Sequence, residues 1–306
     1  MNIDLTLRVF DIEYFATKDG PGIRTVIFTK GCPLECQWCQ NPESQKHESE
    51  ILYHENLCSH CFKCVKECEN NSILILNRII KINKYTCTAC GKCTSVCVNK
   101  ALKKVGENLS IEEIKEAIKK DIDFYKASSG GVTFSGGEPV LWIHKIIPIT
   151  QWCKENGIHC AIETSGYCND VQIQKVIDNF DLIYIDLKHV NNKKHISYTN
   201  SSNNIILNNI KLLIKKCSDR IIIRIPVIPN FNHSQNDAEE ILTFLKKNKC
   251  KSKIEVLPYH DLGKQKYDAL FKEYALGDIE SLKKEDLIYW QEMAEKKNLT
   301  LTIGSN

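Results

Sequence analysis

Three observations predict an α/β fold on a parallel sheet, interrupted by a small cysteine-rich insert. Six strand-like segments alternate with helical ones, and such crossovers yield parallel strands with helices outside. Eleven of the 16 cysteines fall between Cys32 and Cys97. The unusual polar residues follow the strand-like segments, at the carboxyl ends where parallel sheets carry their sites. An open doubly wound sheet and a partial barrel both satisfy this pattern.

Residues 22–28 read as the first strand, running into Cys32, Cys36 and Cys39. Residues 51–105 are rich in cysteine and short of long apolar segments, so something other than a core must hold them. They form an insert within a main domain of residues 1–50 and 106–306. Ser110 and Glu113 fit a capping box, after which Ile111, Ile114, Ile118 and Ile122 recur at helical spacing. Residues 131–134 are the second strand, with a helix over 141–156. Residues 159–163 are the third, with a helix over 171–179. Residues 181–186 are the fourth, with a helix over 204–217. Residues 220–227 are the fifth, with a helix over 236–247. Residues 253–257 are the sixth, and a last helix covers 284–297.

Composition narrows the function classes. A chain of 306 residues, 42% hydrophobic and 26% charged, can bury a large core. Its net charge of +3 provides no strong field for nucleic acid or an anionic membrane. Residues 1–4 (Met, Asn, Ile, Asp) show no basic or apolar export signal. No apolar run approaches the roughly 18 residues of a membrane span. A membrane protein, a disordered tail and a secreted mini-protein are therefore excluded, and a cytoplasmic location is expected. Thiols there stay reduced, so a dense cysteine count points to metal and not to disulfides.

Cys32, Cys36 and Cys39 form a C-x3-C-x2-C triplet. A cubane iron–sulfur cluster takes four thiolates, so three leave one iron open, as catalytic metal sites do. Zinc with a fourth ligand such as His47 or His54 is the alternative, but zinc sites usually pair cysteines as C-x2-C hooks. The run Cys58, Cys61, Cys64, Cys68 repeats as Cys87, Cys90, Cys93, Cys97. That is the two-cluster ferredoxin pattern, in which each fourth cysteine ligates the other cluster. One cluster takes Cys58, Cys61, Cys64 and Cys97; the other takes Cys87, Cys90, Cys93 and Cys68. Glu69 and Val98 replace the usual proline after the fourth cysteine. Cys153, Cys160, Cys168, Cys217 and Cys250 lack ligand spacing and read as buried thiols.

After the second strand, Ser135-Gly136-Gly137-Glu138 supplies glycines that admit a close approach to the backbone. Taken alone it is an ordinary strand-to-helix turn. Asp186 and Lys188 alone could be a surface ion pair, and Glu163 and His260 ordinary strand-end residues. Their shared place on one rim favours function for all of them.

The triplet followed by Ser135–Glu138, together with Asp19-Gly-Pro-Gly-Ile-Arg24, Phe28, Gly31-Cys32 and Trp38-Cys39-Gln40-Asn41-Pro42, resembles the glycyl-radical-enzyme activating enzymes of the radical S-adenosylmethionine (SAM) superfamily. The inserted ferredoxin-like domain resembles the branch that activates dehydratases, lyases and decarboxylases. The resemblance implies a partial (β/α)6 barrel with an inserted α+β ferredoxin-like domain. It implies three [4Fe–4S] clusters: a site-differentiated one on Cys32, Cys36 and Cys39 that binds SAM, and two auxiliary ones on the crossed sets above. It places Trp38, Gln40, Gly136, Gly137, Glu138, Asp186, Leu187, Lys188, Arg224 and His260 around SAM. Glu163, Thr164 and Asp186 would hold a monovalent cation.

The implied activity is that of an oxidoreductase. Reductive cleavage of SAM gives methionine and a 5′-deoxyadenosyl radical, which removes a Cα hydrogen from one glycine of a partner glycyl radical enzyme. Flavodoxin or ferredoxin would supply the electron, no side chain need act as acid or base, and a monomer is expected. A radical SAM peptide-modifying maturase usually carries its extra cysteines after the barrel. A non-enzymatic electron-transfer protein would leave the rim residues unexplained.

Overall fold

The computed structural model describes residues 6–304; the opening residues 1–4 lie outside that range. β1 (Thr6–Ala16) runs antiparallel to β2 (Arg24–Thr29), which leads into the cysteine loop. β3 (Glu50–Tyr53) opens the insert. The helix α1 (Lys63–Lys66), the hairpin of β4 (Ile73–Leu76) and β5 (Ile79–Ile82), and α2 (Lys92–Ser95) follow. β6 (Leu102–Val105) then pairs with β3 and closes the insert. β7 (Glu107–Ser110) returns the chain to the main sheet beside β1.

From there strands and helices alternate. α3 (Ile111–Lys119) and α4 (Ile122–Ser128) precede β8 (Gly131–Gly136). α5 (Ile143–Glu155), β9 (His159–Thr164), α6 (Asp170–Asn179) and β10 (Leu182–Asp186) follow. Next come α7 (Asn192–Thr199), α8 (Asn204–Cys217), β11 (Ile221–Val227) and α9 (Gln235–Lys247). β12 (Lys253–Pro258), α10 (Lys264–Ala269), α11 (Ile288–Lys296) and β13 (Leu301–Ile303) complete the described chain.

The main sheet has nine strands in the order β13-β12-β11-β10-β9-β8-β2-β1-β7 and does not close. The strands from β2 to β13 are parallel, seven in place of the six expected. β13 is only three residues long, too short for periodicity to register. β1 escaped the sequence reading because exposed polar residues such as Asp11 and Glu13 break its apolar text. The helix-spaced run from Ile111 also divides, since α3 stops at Lys119 and Ile122 begins α4.

Local chemistry accounts for the elements. Ser110 Oγ accepts from the Glu113 N–H at 3.2 Å while the Glu113 carboxylate accepts from the Ser110 N–H at 2.8 Å, the expected capping box. β8 is buried along both faces, as a central parallel strand must be. Along α8, Ile206, Ile210, Leu213, Ile214 and Cys217 form one buried stripe. β11 alternates: Ile221, Ile223, Ile225 and Val227 are buried under helices, while Arg224 and Pro226 face the other side of the sheet.

One large apolar cluster joins the sheet to its helices. The insert has a separate, smaller cluster in which Cys64 and Cys93 sit among Ile51, Tyr53, Ile73 and Ile80. No helix among the described residues is long and apolar enough to cross a membrane.

Candidate functional site

The loop after β2 is held by backbone bonds from three directions. Gly31 N–H donates to Ser44 O at 2.6 Å and Cys32 N–H to Gln45 O at 3.0 Å. Glu35 and Gln37 N–H groups donate to Thr199 and Tyr198 at the end of α7. Glu138 N–H donates to Gly31 O at 2.8 Å. Cys32, Cys36 and Cys39 are thereby brought together on one cavity of about 250 Å³, with Trp38 and Gln40 on its wall. Gly136, Gly137, Glu163, Thr164, Asp186, Lys188 and Arg224, contributed by β8 to β11, line the same cavity. Convergence of four successive strand ends on one space means that the sheet curls around it.

The glycines are there for backbone contact. Gly136 has φ +103°, and a Cβ on it would lie 2.5 Å from Thr29 O; a Cβ on Gly137 would lie 2.3 Å from Gly31 O. Only two unsubstituted residues let β8 lie directly against the cysteine loop.

Glu138 departs from expectation. Its carboxylate is fully buried off the cavity wall and accepts from Thr164 Oγ1 at 2.6 Å, Ser165 N–H at 2.9 Å and Val140 N–H at 3.2 Å, with Ser165 Oγ as a further donor. It binds the end of β9, because the backbone turn at Gly137 points the next side chain inward. Leu187 likewise turns into the apolar core and not toward the cavity; its N–H donates to Arg224 O at 2.8 Å.

Charge is balanced within the wall. Lys188 Nζ lies 2.5 Å from Asp186 Oδ2; burial opposes the ammonium, but Asp186 and the Cys36 sulfur hold its pKa well above the ordinary lysine range. Arg224 Nε donates to Glu255 at 2.8 Å, a guanidinium nitrogen of Arg224 pairs with Glu163, and the group stacks 3.8 Å over the Tyr184 ring. Glu163 Oε2 also accepts from Ser135 Oγ at 2.6 Å. The expected cation ligands Glu163, Thr164 and Asp186 are thus each committed to a side-chain partner, with arginine and lysine supplying the positive charge. Among the described residues, no three His, Cys, Asp or Glu side chains close around a single ion-sized point.

The donor set suits a polynuclear sulfur-bound group. Burial pushes the thiols of Cys32 and Cys36 up and that of Cys39 to about 12, so thiolates there need a metal's charge to form. His260 stands at the rim: the Gln40 amide donates to His260 Nε2 at 2.7 Å, and His260 Nδ1 is buried with no partner. A buried, unpaired ring nitrogen beside a wall residue is what a bound cofactor would satisfy.

Two further residues near the site were not among the expected site residues. Tyr267, on α10, is buried with its hydroxyl unpaired; burial and the neighbouring Cys39 and Cys36 push that hydroxyl up. Asp19, in the loop before β2, is raised to about 6 by burial and by the charge of Glu163. Tyr267 reaches the site from far along the chain, whereas Asp19 stands just before β2.

In the insert, Cys58, Cys61, Cys64 and Cys97 line one cavity of about 200 Å³. Cys68, Cys87, Cys90 and Cys93 line a second of about 60 Å³. Each fourth cysteine has crossed to the other run. The backbone repeats with the sequence: His60 and Phe62 flank Cys61 with positive φ, as Ala89 and Gly91 flank Cys90. The turn after each run closes alike, Asn71 N–H to Cys68 O and Lys100 N–H to Cys97 O, both 2.9 Å, so the missing prolines leave it intact. Cys153, Cys160, Cys168, Cys217 and Cys250 are all buried free thiols.

Comparison with known proteins places this geometry. Residues 26–245 match the family described as Radical SAM superfamily. The trans-4-hydroxy-L-proline dehydratase activating enzyme of Clostridioides difficile is 39% identical over 97% of this chain and 98% of its own length. The choline trimethylamine-lyase activating enzyme of Oleidesulfovibrio alaskensis is 37% identical over 93% of this chain and 94% of its own. The crystal structure of Streptococcus suis SuiB bound to precursor peptide SuiA superimposes with a TM-score of 0.55 at 13% identity, covering 92% of this chain and 48% of that one. That last likeness is one of fold.

Proposed function

The chain belongs to the glycyl-radical-enzyme activating enzymes of the radical SAM superfamily, and from that premise we propose how its own residues carry the activity. Members of the family use a [4Fe–4S] cluster with SAM to activate a partner enzyme. Together these groups supply reductive cleavage to methionine and a 5′-deoxyadenosyl radical that takes a Cα hydrogen from a glycine of the partner. The observation that carries the assignment is the single cavity shared by Cys32, Cys36, Cys39, Gly136, Gly137, Asp186 and Lys188.

Cys32, Cys36 and Cys39 would hold the cluster and leave one iron free for the cofactor. Trp38 and Gln40 would take up its adenine, with His260 Nδ1 offered beside Gln40. The backbone at Gly136 and Gly137 would receive the methionine amino group, and Lys188, kept charged by Asp186, would take the carboxylate. Arg224, fixed between Glu163 and Glu255, keeps the floor of the cavity rigid and dry.

Residues 51–105 constitute a ferredoxin-like domain with two auxiliary [4Fe–4S] clusters on the crossed sets, three clusters in all. The two cysteine-ringed cavities and the repeated backbone turns support this reading. An external flavodoxin or ferredoxin reduces the protein, which works as a monomer in the cytoplasm and meets its partner transiently.

The test uses protein reconstituted anaerobically with iron and sulfide, reduced, and mixed with SAM and a glycyl-loop peptide deuterated at Cα. Deuterium in 5′-deoxyadenosine is expected, and Cys36→Ala should form none. Absence of deoxyadenosine from unaltered protein with intact, reduced clusters would overturn the assignment.

A further inference from the structure

The insert concentrates the positive charge of the whole molecule. Residues 51–105 carry nine Lys or Arg against three Asp or Glu, a net +6, in a chain whose total is only +3; the rest is net negative. This charge is divided unequally between the two thiol-lined cavities. Glu67, Glu69 and Lys92 line the cavity of Cys68, Cys87, Cys90 and Cys93, and Lys92 is paired with Glu69. The cavity of Cys58, Cys61, Cys64 and Cys97 is bordered instead by cations. Lys63 lines it, Lys100 follows the lining Asn99, and His60 beside Cys61 reaches the Arg78 carbonyl at 3.0 Å. Lys63, Arg78 and Lys100 are exposed and pair with no carboxylate among the described residues.

Between these cations lies exposed apolar surface. Val98, on the cavity wall, is 84% exposed and Leu57 is 45% exposed; Asn99 joins the two segments by donating to Leu57 O at 3.2 Å. Cys61 itself is exposed. An apolar centre inside a cationic rim is the composition of a protein-docking patch steered by charge. The other cavity is also open to solvent at Cys90, but on its far side it shares Ile51, Ile82, Cys87 and Ala89 with a cavity lined by Lys46, Ser49 and Glu50, where the insert joins the barrel.

We propose that the face around Lys63, Arg78, Lys100, Leu57 and Val98 is the docking surface for an acidic one-electron carrier protein, and that the electron enters at the group held by Cys58, Cys61, Cys64 and Cys97. The inference rests on the cluster reading of the insert. In the step, the carrier's reduced flavin loses one electron and that group gains it; no bond breaks and no proton moves. Cys68, Cys87, Cys90 and Cys93, on the barrel side, form the exit.

The probe is a bacterial flavodoxin of acidic composition, titrated into the reconstituted full-length protein while flavin fluorescence is followed between low and moderate salt. The variant R78E/K100E should weaken binding about tenfold or more and flatten its salt dependence. Charge reversal on the barrel helix α8, in K215E/K216E, should change affinity less than about twofold. Equal loss in both variants, or none in R78E/K100E, overturns the proposal. So does unchanged flavodoxin affinity in R78E/K100E accompanied by weaker binding of a single-stranded oligonucleotide or of a glycyl radical enzyme. Deoxyadenosine formation driven by dithionite should be the same in R78E/K100E as in unaltered protein. Failure of the unaltered protein to make it under dithionite would be a failure of the enzymatic assignment, legible apart from the binding result.

Discussion

Thr164 Oγ1 donates to Glu138 Oε1 at 2.6 Å inside the fully buried end of β9. The glutamate that follows the glycine pair therefore fastens one strand end to the next. Removing it leaves the largely buried Ser165 N–H and hydroxyl without their acceptor. Glu138→Ala should lower stability by about 2–4 kcal/mol, the range for leaving two or more buried donors unpaired, and Glu138→Gln by less. Denaturant unfolding of reconstituted protein measures this. An alanine variant as stable as the parent would mean that the carboxylate does not hold β9.

Gly137 makes a sharper prediction about the cluster. A methyl group there would lie 2.3 Å from the Gly31 carbonyl, one residue before Cys32. β8 and the cysteine loop would have to separate by about an ångström or more, since Cβ contacts that short do not occur. Gly137→Ala should therefore fold, because the clash falls just past the end of β8 at the cysteine loop, yet lose the Cys32–Cys36–Cys39 cluster. Iron analysis should show about four fewer iron atoms per chain, with the auxiliary signals retained.

How far these features could be read in advance depends on the range of the interaction. The cysteine sets were legible because ligand spacing is local and chemically demanding; even the crossing of Cys68 and Cys97 follows from the duplicated run. Side-chain direction was not: Glu138 and Leu187 sit beside wall residues in sequence but point into the protein, as alternation along an extended backbone allows. Tyr267 reaches the site only through the folded chain, and the pairing of Asp19 with the charge of Glu163 likewise arises only in the fold. Glu163, expected to hold a cation, pairs with Arg224 from β11, a partner 61 residues away that no local pattern announces.

Asp19 links the site to pH. Its carboxyl is raised to about 6 from an ordinary 3.8, chiefly by burial and then by Glu163. A folded-state pKa above the unfolded one means that the neutral acid is favoured in the fold. The associated stability is full below about pH 4 and is lost as pH rises through about 6. Asp19→Asn, which stays neutral, should match the parent only below about pH 4, gain on it as pH rises from about 4 to 6, and be more stable above that by about 1–3 kcal/mol. The gap should stop growing by about pH 7. Unfolding curves of cluster-free protein between pH 4.5 and 8 provide the test, and a gap independent of pH would contradict it.

The crossing of the insert ligands can be tested with pairs of substitutions. If Cys58 and Cys97 serve one cluster, as their shared cavity indicates, then C58A/C97A removes only that cluster and costs about four iron atoms. C58A/C68A, which spans both cavities, strikes both clusters and costs about eight. Uncrossed ligation reverses the two results, because Cys58 and Cys68 would then share a site. On crossed ligation each cluster would bridge the two halves of the insert, whose own apolar cluster is small. C58A/C68A should therefore also expose residues 51–105 to proteolysis, while C58A/C97A keeps the halves joined through Cys68, Cys87, Cys90 and Cys93. Iron counts and limited digestion, made on the same samples, report the ligation and its structural consequence independently.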